Sequence, residues 1–298
     1  MSLISVSLRL SMIMCAAVVG VLRSDAVEFA VKPRTCYEVA YRARVVDAPS
    51  VELSPIIREI LPVIVSRNNV AGVKFAGVQW RFMDAAGRAI ARPIEGASPQ
   101  SLFTRDWKTY RYRFWTPENA ARFSIFISGG SKGNKAELTD VNISEISSSK
   151  TLNFNSDFSA ADDAAPGWQL VGSATFQNYA AGASQVNALD GHVNSDLFPV
   201  NPGSSIKVTA KCAAAVMSVT SLKNTNVRIE FYSSYIEAAK KGVRKNAYAE
   251  KVLSSDGDSD GISHIYRVPD GKRWARVSAW RGIVKEITVT TVEEGGAE

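Results

Sequence analysis

The chain has 298 residues, of which 46% are hydrophobic and 21% are charged. This balance excludes an intrinsically disordered chain, and the length suits two domains of ordinary size. The formal net charge is +6, and the Lys and Arg residues are dispersed along the sequence. A dispersed basic charge favours contact with anionic surfaces, but it does not indicate a nucleic-acid partner, and we expect none.

Residues 1–26 have the pattern of a signal peptide. Arg9 precedes an apolar run over residues 10–22, and Ser24 and Ala26 place small residues before the expected cleavage point. The run is too short to span a bilayer comfortably. A retained anchor, or a first strand behind a misplaced gene start, is the alternative. No later apolar stretch is long enough to cross a membrane, so we expect a mature chain without a membrane span, secreted or displayed at the cell surface.

The sequence downstream contains an internal repeat. Segments of the first half recur in the same order in the second half. The matching pairs are residues 29–33 and 198–202, 37–41 and 206–210, 78–82 and 227–231, and 123–127 and 275–279. The two halves differ mainly in loop length, which is where insertions are tolerated. The repeat therefore predicts two modules that descend from one duplicated unit.

Nearly every segment alternates apolar and polar residues, which is typical of a strand with one buried face. Turn residues such as Gly87 and Gly271 separate the segments. The predicted fold class is all-β, with two tandem β-sandwich (jelly-roll) modules after the signal peptide. The signal peptide covers residues 1–26, module 1 covers 27–148 and module 2 covers 149–298. Residues 151–194 have no counterpart in module 1, which must either lack those strands or replace them.

Catalysis finds little support in the sequence. His192 and His264 are the two histidines of the chain, and neither has the spacing of a zinc site or a catalytic triad. Cys36 and Cys212 remain after loss of the signal peptide, and they form neither a metal motif nor a disulfide framework. No nucleophile-elbow, phosphate-loop or dinucleotide motif is present. We therefore expect a protein that is not an enzyme and has no cofactor other than the calcium considered below.

Strand parity places aromatic and charged residues on the outer face of module 2. Ala275, Val277 and Ala279 align with core positions of module 1, so the residues between them point the other way. The predicted ligand-binding set on this outer face is Trp274, Arg276, Trp280, Arg228, Glu230 and Tyr232. Exposed rings can stack on the apolar face of a sugar, and Arg and Glu can bind its hydroxyls. The alternative is that this face packs on module 1 or on a loop.

A second candidate surface lies on module 1, where six arginines take the parity opposite to the core. The set is Arg42, Arg44, Arg81, Arg111, Arg113 and Arg122. If their strands share a sheet, they form an anion-binding patch, because arginine pairs with carboxylate, sulfate or phosphate in a bidentate manner. The alternative is an ordinary solvated face that pairs in part with Glu38.

An acidic loop in module 2 matches the first half of a calcium-binding loop. Asp256, Asp258 and Asp260 alternate before Gly261, which permits a sharp turn. Arg267 stands where an EF-hand needs its bidentate acid, so an EF-hand is excluded. Two interpretations stay open, a structural calcium site and a solvated acidic turn.

Several short motifs resemble those of a known family. Module 2 opens with Asn155-Ser-Asp-Phe158 and continues to Gly167-Trp168, while module 1 carries Trp107-Lys-Thr-Tyr110 and Phe114-Trp-Thr-Pro117. These resemble motifs of jelly-roll carbohydrate-binding modules with a galactose-binding-like fold. The resemblance implies a polysaccharide or glycan as the partner. The alternative is a structural subunit of a cell-surface or virion assembly, whose partners would be other surface or virion proteins.

Overall fold

The structure is a computed structural model. It describes residues 26–47, 69–70, 73–74, 77–90, 100–101, 105–128, 135–147, 151–158, 167–172, 174–178, 184–188, 191–213, 225–239, 252–255 and 259–292. The expected signal peptide lies almost wholly outside these residues. Among the described helices, none has the length and apolarity that a membrane crossing requires.

The first half of the chain forms two antiparallel sheets and a small hairpin. The strands are β1 (Val27–Ala30), β2 (Cys36–Asp47), β3 (Asn69–Val70), β4 (Val73–Lys74), β5 (Gly77–Met83), β6 (Ala89–Ile90), β7 (Gln100–Ser101), β8 (Lys108–Trp115), β9 (Arg122–Ser128) and β10 (Lys135–Glu145). One sheet has the order β1-β9-β5-β6, with β7 also paired to β5, and the other has the order β10-β2-β8. We call β1–β10 the first sandwich.

The second half forms two sheets, of six and five strands. Its elements are β11 (Trp168–Gly172), β12 (Thr175–Asn178), β13 (Ser184–Asn187), β14 (Gly191–Ser195), β15 (Phe198–Pro199), β16 (Ser205–Ala213), β17 (Thr225–Tyr232), helix α1 (Tyr235–Ala239), β18 (Val252–Ser255), β19 (Ser259–Arg267), β20 (Trp274–Trp280) and β21 (Ile283–Val292). The sheet orders are β11-β14-β20-β17-β18, with β15 on β20, and β12-β13-β21-β16-β19. We call β11–β21 the second sandwich.

Alternating burial produces these layers. In β16, Ile206, Val208, Ala210 and Cys212 are buried, and the residues between them are exposed or half-buried. Because successive side chains of a strand point to opposite faces, one face of each sheet is left to pack on its partner. Cys212 is accordingly one of the buried residues of the second core.

Strand pairing supports the duplication predicted from the repeat. The order β15-β20-β17 in the second sandwich matches β1-β9-β5 in the first, and β21-β16-β19 matches β10-β2-β8. Even the register agrees, since Ile229 lies opposite Val277 where the first sandwich has Trp80 opposite Ile125. A register match fixes which face every residue occupies, so the two sequences encode the same sandwich.

The second sandwich also carries the additional segments that the sequence predicted. Strands β11 and β14 extend one sheet beyond β20, and β12 and β13 extend the other beyond β21. Thr151 forms a bridge with Thr290 on that same edge of β21. Within the described part of the first sandwich, no strand pairs with the corresponding outer edge of β10.

The two sandwiches share packing at their junction. One hydrophobic cluster lies within the second sandwich, whereas the cluster of the first sandwich also includes Leu197, Tyr232, Tyr235 and Trp274 from the second. Trp115 of β8 packs against both clusters, and its indole Nε1 donates to the Leu152 carbonyl oxygen at 3.0 Å. The cores are therefore continuous across the junction.

Candidate functional site

The six residues of the predicted ligand-binding set lie on one face, as strand parity indicated. Strands β17 and β20 pair antiparallel, with Glu230 opposite Arg276 and Tyr232 opposite Trp274. Directly opposite residues of paired strands share a face and lie within contact distance. Arg228 and Trp280 continue this face toward the far end of β20, where the Arg228 Cζ lies 5.2 Å from the Trp280 ring centroid.

Glu230 lies at the centre of this face and has three partners. Its Oε2 accepts hydrogen bonds from the Tyr232 hydroxyl at 2.6 Å and from Arg276 Nε at 2.5 Å, and its Oε1 pairs with Arg228. Burial acts to raise the pKa of this carboxyl, but the Arg276 charge, the Tyr232 hydrogen bond and the Arg228 charge together lower it below its ordinary value. Glu230 therefore stays ionised and fixes both arginines.

The expected solvent exposure of this face is wrong at the Trp274 end. Trp274 and Tyr232 are each 1% exposed. The Trp274 ring packs edge-on against Tyr235 of α1 at 5.2 Å and belongs to the cluster of the first sandwich. Glu230 and Arg276 are buried as well. Here the alternative left open by the sequence holds, because an outward-facing indole becomes buried when another part of the chain packs over it.

The other end of the face remains accessible. Trp280 is half-buried, and the Arg228 side chain is 28% exposed. His192 of β14 lies opposite Trp280 on one side, and Asn226 of β17 lies opposite it on the other. We call Trp280, Arg228, His192 and Asn226 the Trp280 platform. It presents one ring, one guanidinium, one imidazole and one amide along adjacent strands.

Sequence reasoning missed two members of this platform. The sequence predicts no zinc or catalytic role for His192, and nothing in the sequence distinguishes Asn226 from other polar residues. The position of His192 depends on β14 pairing with β20, a contact between strands that lie far apart in the chain. Alternation in β14 could have indicated the face of His192 but not the neighbour of its strand.

The arginine set of the first sandwich is divided between two sheets, so the prediction of one patch is wrong. Arg42, Arg44, Arg111 and Arg113 lie on the outer face of the β10-β2-β8 sheet. Arg81 and Arg122 belong to β5 and β9 of the other sheet, where Arg81 stacks on Phe126 and Arg122 pairs with Glu28 at 3.4 Å. Strand parity gives a face, but it does not say which strands share a sheet.

The four arginines that share a sheet are paired with carboxylates. Arg44 contacts Glu137 at 2.7 Å, Arg113 contacts Glu38 at 2.9 Å and Arg42 contacts Asp140 at 3.4 Å. Arg111 lies 3.6 Å from the same Glu38. The guanidiniums of Arg42 and Arg44 also stack on Trp107, at 5.5 and 4.7 Å. This surface is therefore an ion-paired, solvated face, which is the alternative that the sequence left open.

The acidic loop can be placed only in part. Asp256 and Asp258 lie outside the described residues, and Asp260 is in β19, where its backbone alone is described. Gly261 lies within β19, where its φ of +150° coincides with a register shift in the pairing with β16, so it marks a β-bulge and the predicted sharp turn is wrong. Within the described ranges, no three His, Cys, Asp or Glu side chains cluster as a metal site would require. Calcium binding by this loop stays a prediction.

By fold, the chain is an all-β tandem sandwich protein, and comparison with known proteins gives likenesses to solved structures. No protein-family model matches the sequence, and no curated protein sequence matches it significantly. The N-terminal CBM22-1–CBM22-2 tandem domain of Paenibacillus barcinonensis Xyn10C is 11% identical, with 89% of this chain and 82% of that chain covered and a TM-score of 0.33. The tandem CBM51 modules of the family 98 glycoside hydrolase from Streptococcus pneumoniae are 10% identical, with coverages of 91% and 83% and a TM-score of 0.23. The plant receptor-like kinase ANX1 is 9% identical, with coverages of 90% and 82% and a TM-score of 0.24.

Proposed function

We propose that this chain is an exported, non-catalytic polysaccharide-binding protein that holds a glycan chain on the Trp280 platform. One observation carries the proposal. On the polar outer face of β17 and β20, a half-buried tryptophan remains accessible between polar residues of both neighbouring strands. The leader-like first 26 residues support export.

The platform has the chemistry that a sugar needs. A pyranose ring presents C–H groups on one face, which stack on an indole, and hydroxyls at its edge, which bind amide, imidazole and guanidinium groups. Arg228 is held from two directions, by Glu230 and by the Trp280 ring. A side chain that is already ordered loses less entropy when a ligand binds, so the contacts with Glu230 and Trp280 preorganise Arg228 for binding.

The first prediction tests the ring. Trp280→Ala should weaken binding to every glycan that the wild-type protein retains on a glycan array or in affinity electrophoresis by more than about tenfold, because the stacking surface is lost. The melting temperature should fall by no more than about 4 °C, since a half-buried side chain contributes little to the core. Trp280→Phe should keep part of the binding.

Trp107→Ala is the matched control. Trp107 is also a half-buried tryptophan that stacks on arginine, but it lies on the ion-paired face of the first sandwich. This variant should bind as the wild type does. If Trp107→Ala loses binding and Trp280→Ala keeps it, the platform assignment is wrong and the arginine face binds the glycan. If the wild-type protein retains no glycan, the polysaccharide-binding proposal itself fails.

A further inference from the structure

A cavity of about 310 Å³ lies at the junction of the two sandwiches, away from the Trp280 platform. Its walls come from β2 and β8 of the first sandwich, from residues 151–157 and from Asp196 and Leu197. A volume near 300 Å³ lies at the lower end of the range of small-molecule sites, which run from roughly 300 to 1,000 Å³. It suits a ligand of one or two sugar rings.

Two aromatic residues and one guanidinium form part of the cavity wall. Trp115 lines it from β8, and Phe154 lines it from the second sandwich. The Arg113 Cζ lies 5.8 Å from the Phe154 ring centroid, and Phe154 in turn packs edge-on against Tyr112 at 5.7 Å. Arg113 is anchored by Glu38 at 2.9 Å. These contacts order the wall from both sides of the junction.

The polar wall of the cavity is held rigidly. Asn153 is buried and bonds to the backbone of β21 through both ends of its amide. The Asn155 carbonyl accepts hydrogen bonds from the Trp168 indole at 2.8 Å and from the Phe158 amide at 3.1 Å. Phe158, fully buried, has a φ of +59°, a backbone conformation that is costly for a bulky residue. The turn that shapes the cavity is therefore fixed in place by its surroundings.

The charges around the cavity favour a neutral, hydroxyl-rich ligand. Among the described lining residues, the charged ones are Asp157, Asp196 and Arg113. Burial raises the pKa of Cys36 to about 11, so this thiol contributes an uncharged wall. Carboxylates accept hydrogen bonds from hydroxyls and repel an anionic ligand, while aromatic walls pack against C–H groups.

We propose that the junction cavity is a second saccharide site, which takes a neutral mono- or disaccharide unit between the two sandwiches. The class of ligand rests on the proposed function, whereas the site itself uses none of the platform residues. Binding would place one sugar unit in contact with both sandwiches at once.

The test is a titration of the ¹⁵N-labelled full chain with cellobiose, xylobiose, mannobiose and lactose, followed by NMR. At least one disaccharide should shift the Trp115 indole signal and the backbone amides of residues 151–157. Arg113→Gln and Asp157→Asn should each weaken this response by roughly tenfold, through loss of a charge-assisted hydrogen bond. Arg111→Gln is the matched control for Arg113, because Arg111 lies on the same strand beside the same Glu38 but does not line the cavity.

The two sites can be told apart in the same experiment. Trp280→Ala should leave the junction response unchanged. Shifts confined to signals around Trp280 would overturn the junction site and keep the proposed function. A junction response that survives both Arg113→Gln and Asp157→Asn, or that disappears in Trp280→Ala, would also overturn it. If no disaccharide of the panel shifts the junction signals, the junction site is wrong, while the platform is judged by the glycan array.

Discussion

Glu230 determines the electrostatics of the outer face of β17 and β20. It is 1% exposed, and its carboxylate accepts hydrogen bonds from Arg276, Arg228 and the Tyr232 hydroxyl. Removing a single member of a buried charged group leaves the others desolvated and uncompensated, which costs more than the intact group contributes. The side chain is therefore essential to this face, whether or not a ligand is present.

A second prediction follows for Glu230→Gln. At pH 7 this variant should be less stable than the wild type by about 3–5 kcal/mol in urea unfolding, because two guanidiniums lose their counter-charge. Because the pKa of Glu230 is lowered in the folded state, its stabilisation is present above the unfolded value near 4.5 and is lost as the pH falls through the folded pKa. The difference in the free energy of unfolding between the two proteins should therefore narrow progressively as the pH falls below the unfolded value near 4.5.

Glu286→Gln is the control for this measurement. Glu286 pairs with Lys211 at 2.6 Å on a partly exposed surface. Its replacement should cost less than about 1 kcal/mol at any pH. If the difference in the free energy of unfolding between Glu230→Gln and the wild type stays constant on acidification, Glu230 is not ionised in the folded protein.

At the scale of single residues, the sequence predicted which face of a strand a residue occupies better than it predicted solvent exposure. The alternation of β20 correctly placed Trp274, Arg276 and Trp280 on one side, because side-chain direction along a strand is a local property. The burial of Trp274 depends instead on Tyr235 and on the cluster of the first sandwich, which local alternation does not encode. Trp274 and Trp280 therefore share one face of β20, although Trp274 is buried and Trp280 is accessible.

At the scale of elements, the segment 151–158 acts as an edge clamp on β21. The Leu152 amide donates to the Val289 carbonyl at 2.8 Å, and the Asn153 side chain bonds to Val289 N and to the Ile287 carbonyl, both at 2.7 Å. A side-chain amide thus continues the pairing where the backbone of the segment turns away. This arrangement satisfies edge groups that would otherwise be unpaired.

The third prediction concerns this clamp. Asn153→Ala should destabilise the protein by about 2–6 kcal/mol in urea unfolding, because two buried backbone groups of β21 lose their partners at about 1–3 kcal/mol each. Hydrogen exchange at the Val289 amide should accelerate. Asn201→Ala, in an exposed turn after β15, should change neither quantity measurably. Unchanged protection at Val289 in Asn153→Ala would show that the side chain does not hold the edge.

The elements themselves were largely predictable from the repeat. Segments 78–82 and 227–231 pair with 123–127 and 275–279 in the same register, as their alignment required. The sequence did not predict that β5 and β9 lie in a different sheet from β2 and β8, and this division separates the arginine set. Sheet membership is set by pairing between strands that lie far apart in the chain. An internal repeat aligns the two halves with each other, but it does not show which strands pair within each half.

At the scale of the whole molecule, the junction between the two sandwiches is packed as a hydrophobic core. Tyr235 contacts Trp274 of its own sandwich at 5.2 Å and Phe82 of the other at 6.3 Å. The Glu118 carboxylate accepts a hydrogen bond from the Tyr235 amide at 3.2 Å, and Arg34 donates to the Val200 carbonyl at 3.3 Å. Large apolar contacts between domains couple their unfolding, whereas polar and sparse contacts leave them independent.

The last prediction is that the two sandwiches unfold together and that Trp274 couples them. Calorimetry of the full chain should show one transition. Trp274→Ala should remove about 3–5 kcal/mol of packing and split or broaden that transition, because the lost ring joins Tyr235 to the cluster of the first sandwich. Trp168→Ala removes an equally large buried indole, but from the cluster confined to the second sandwich. It should therefore lower the melting temperature while the transition stays single. Two transitions in the wild type, or a single sharp one in Trp274→Ala, would mean that the shared cluster does not couple the sandwiches.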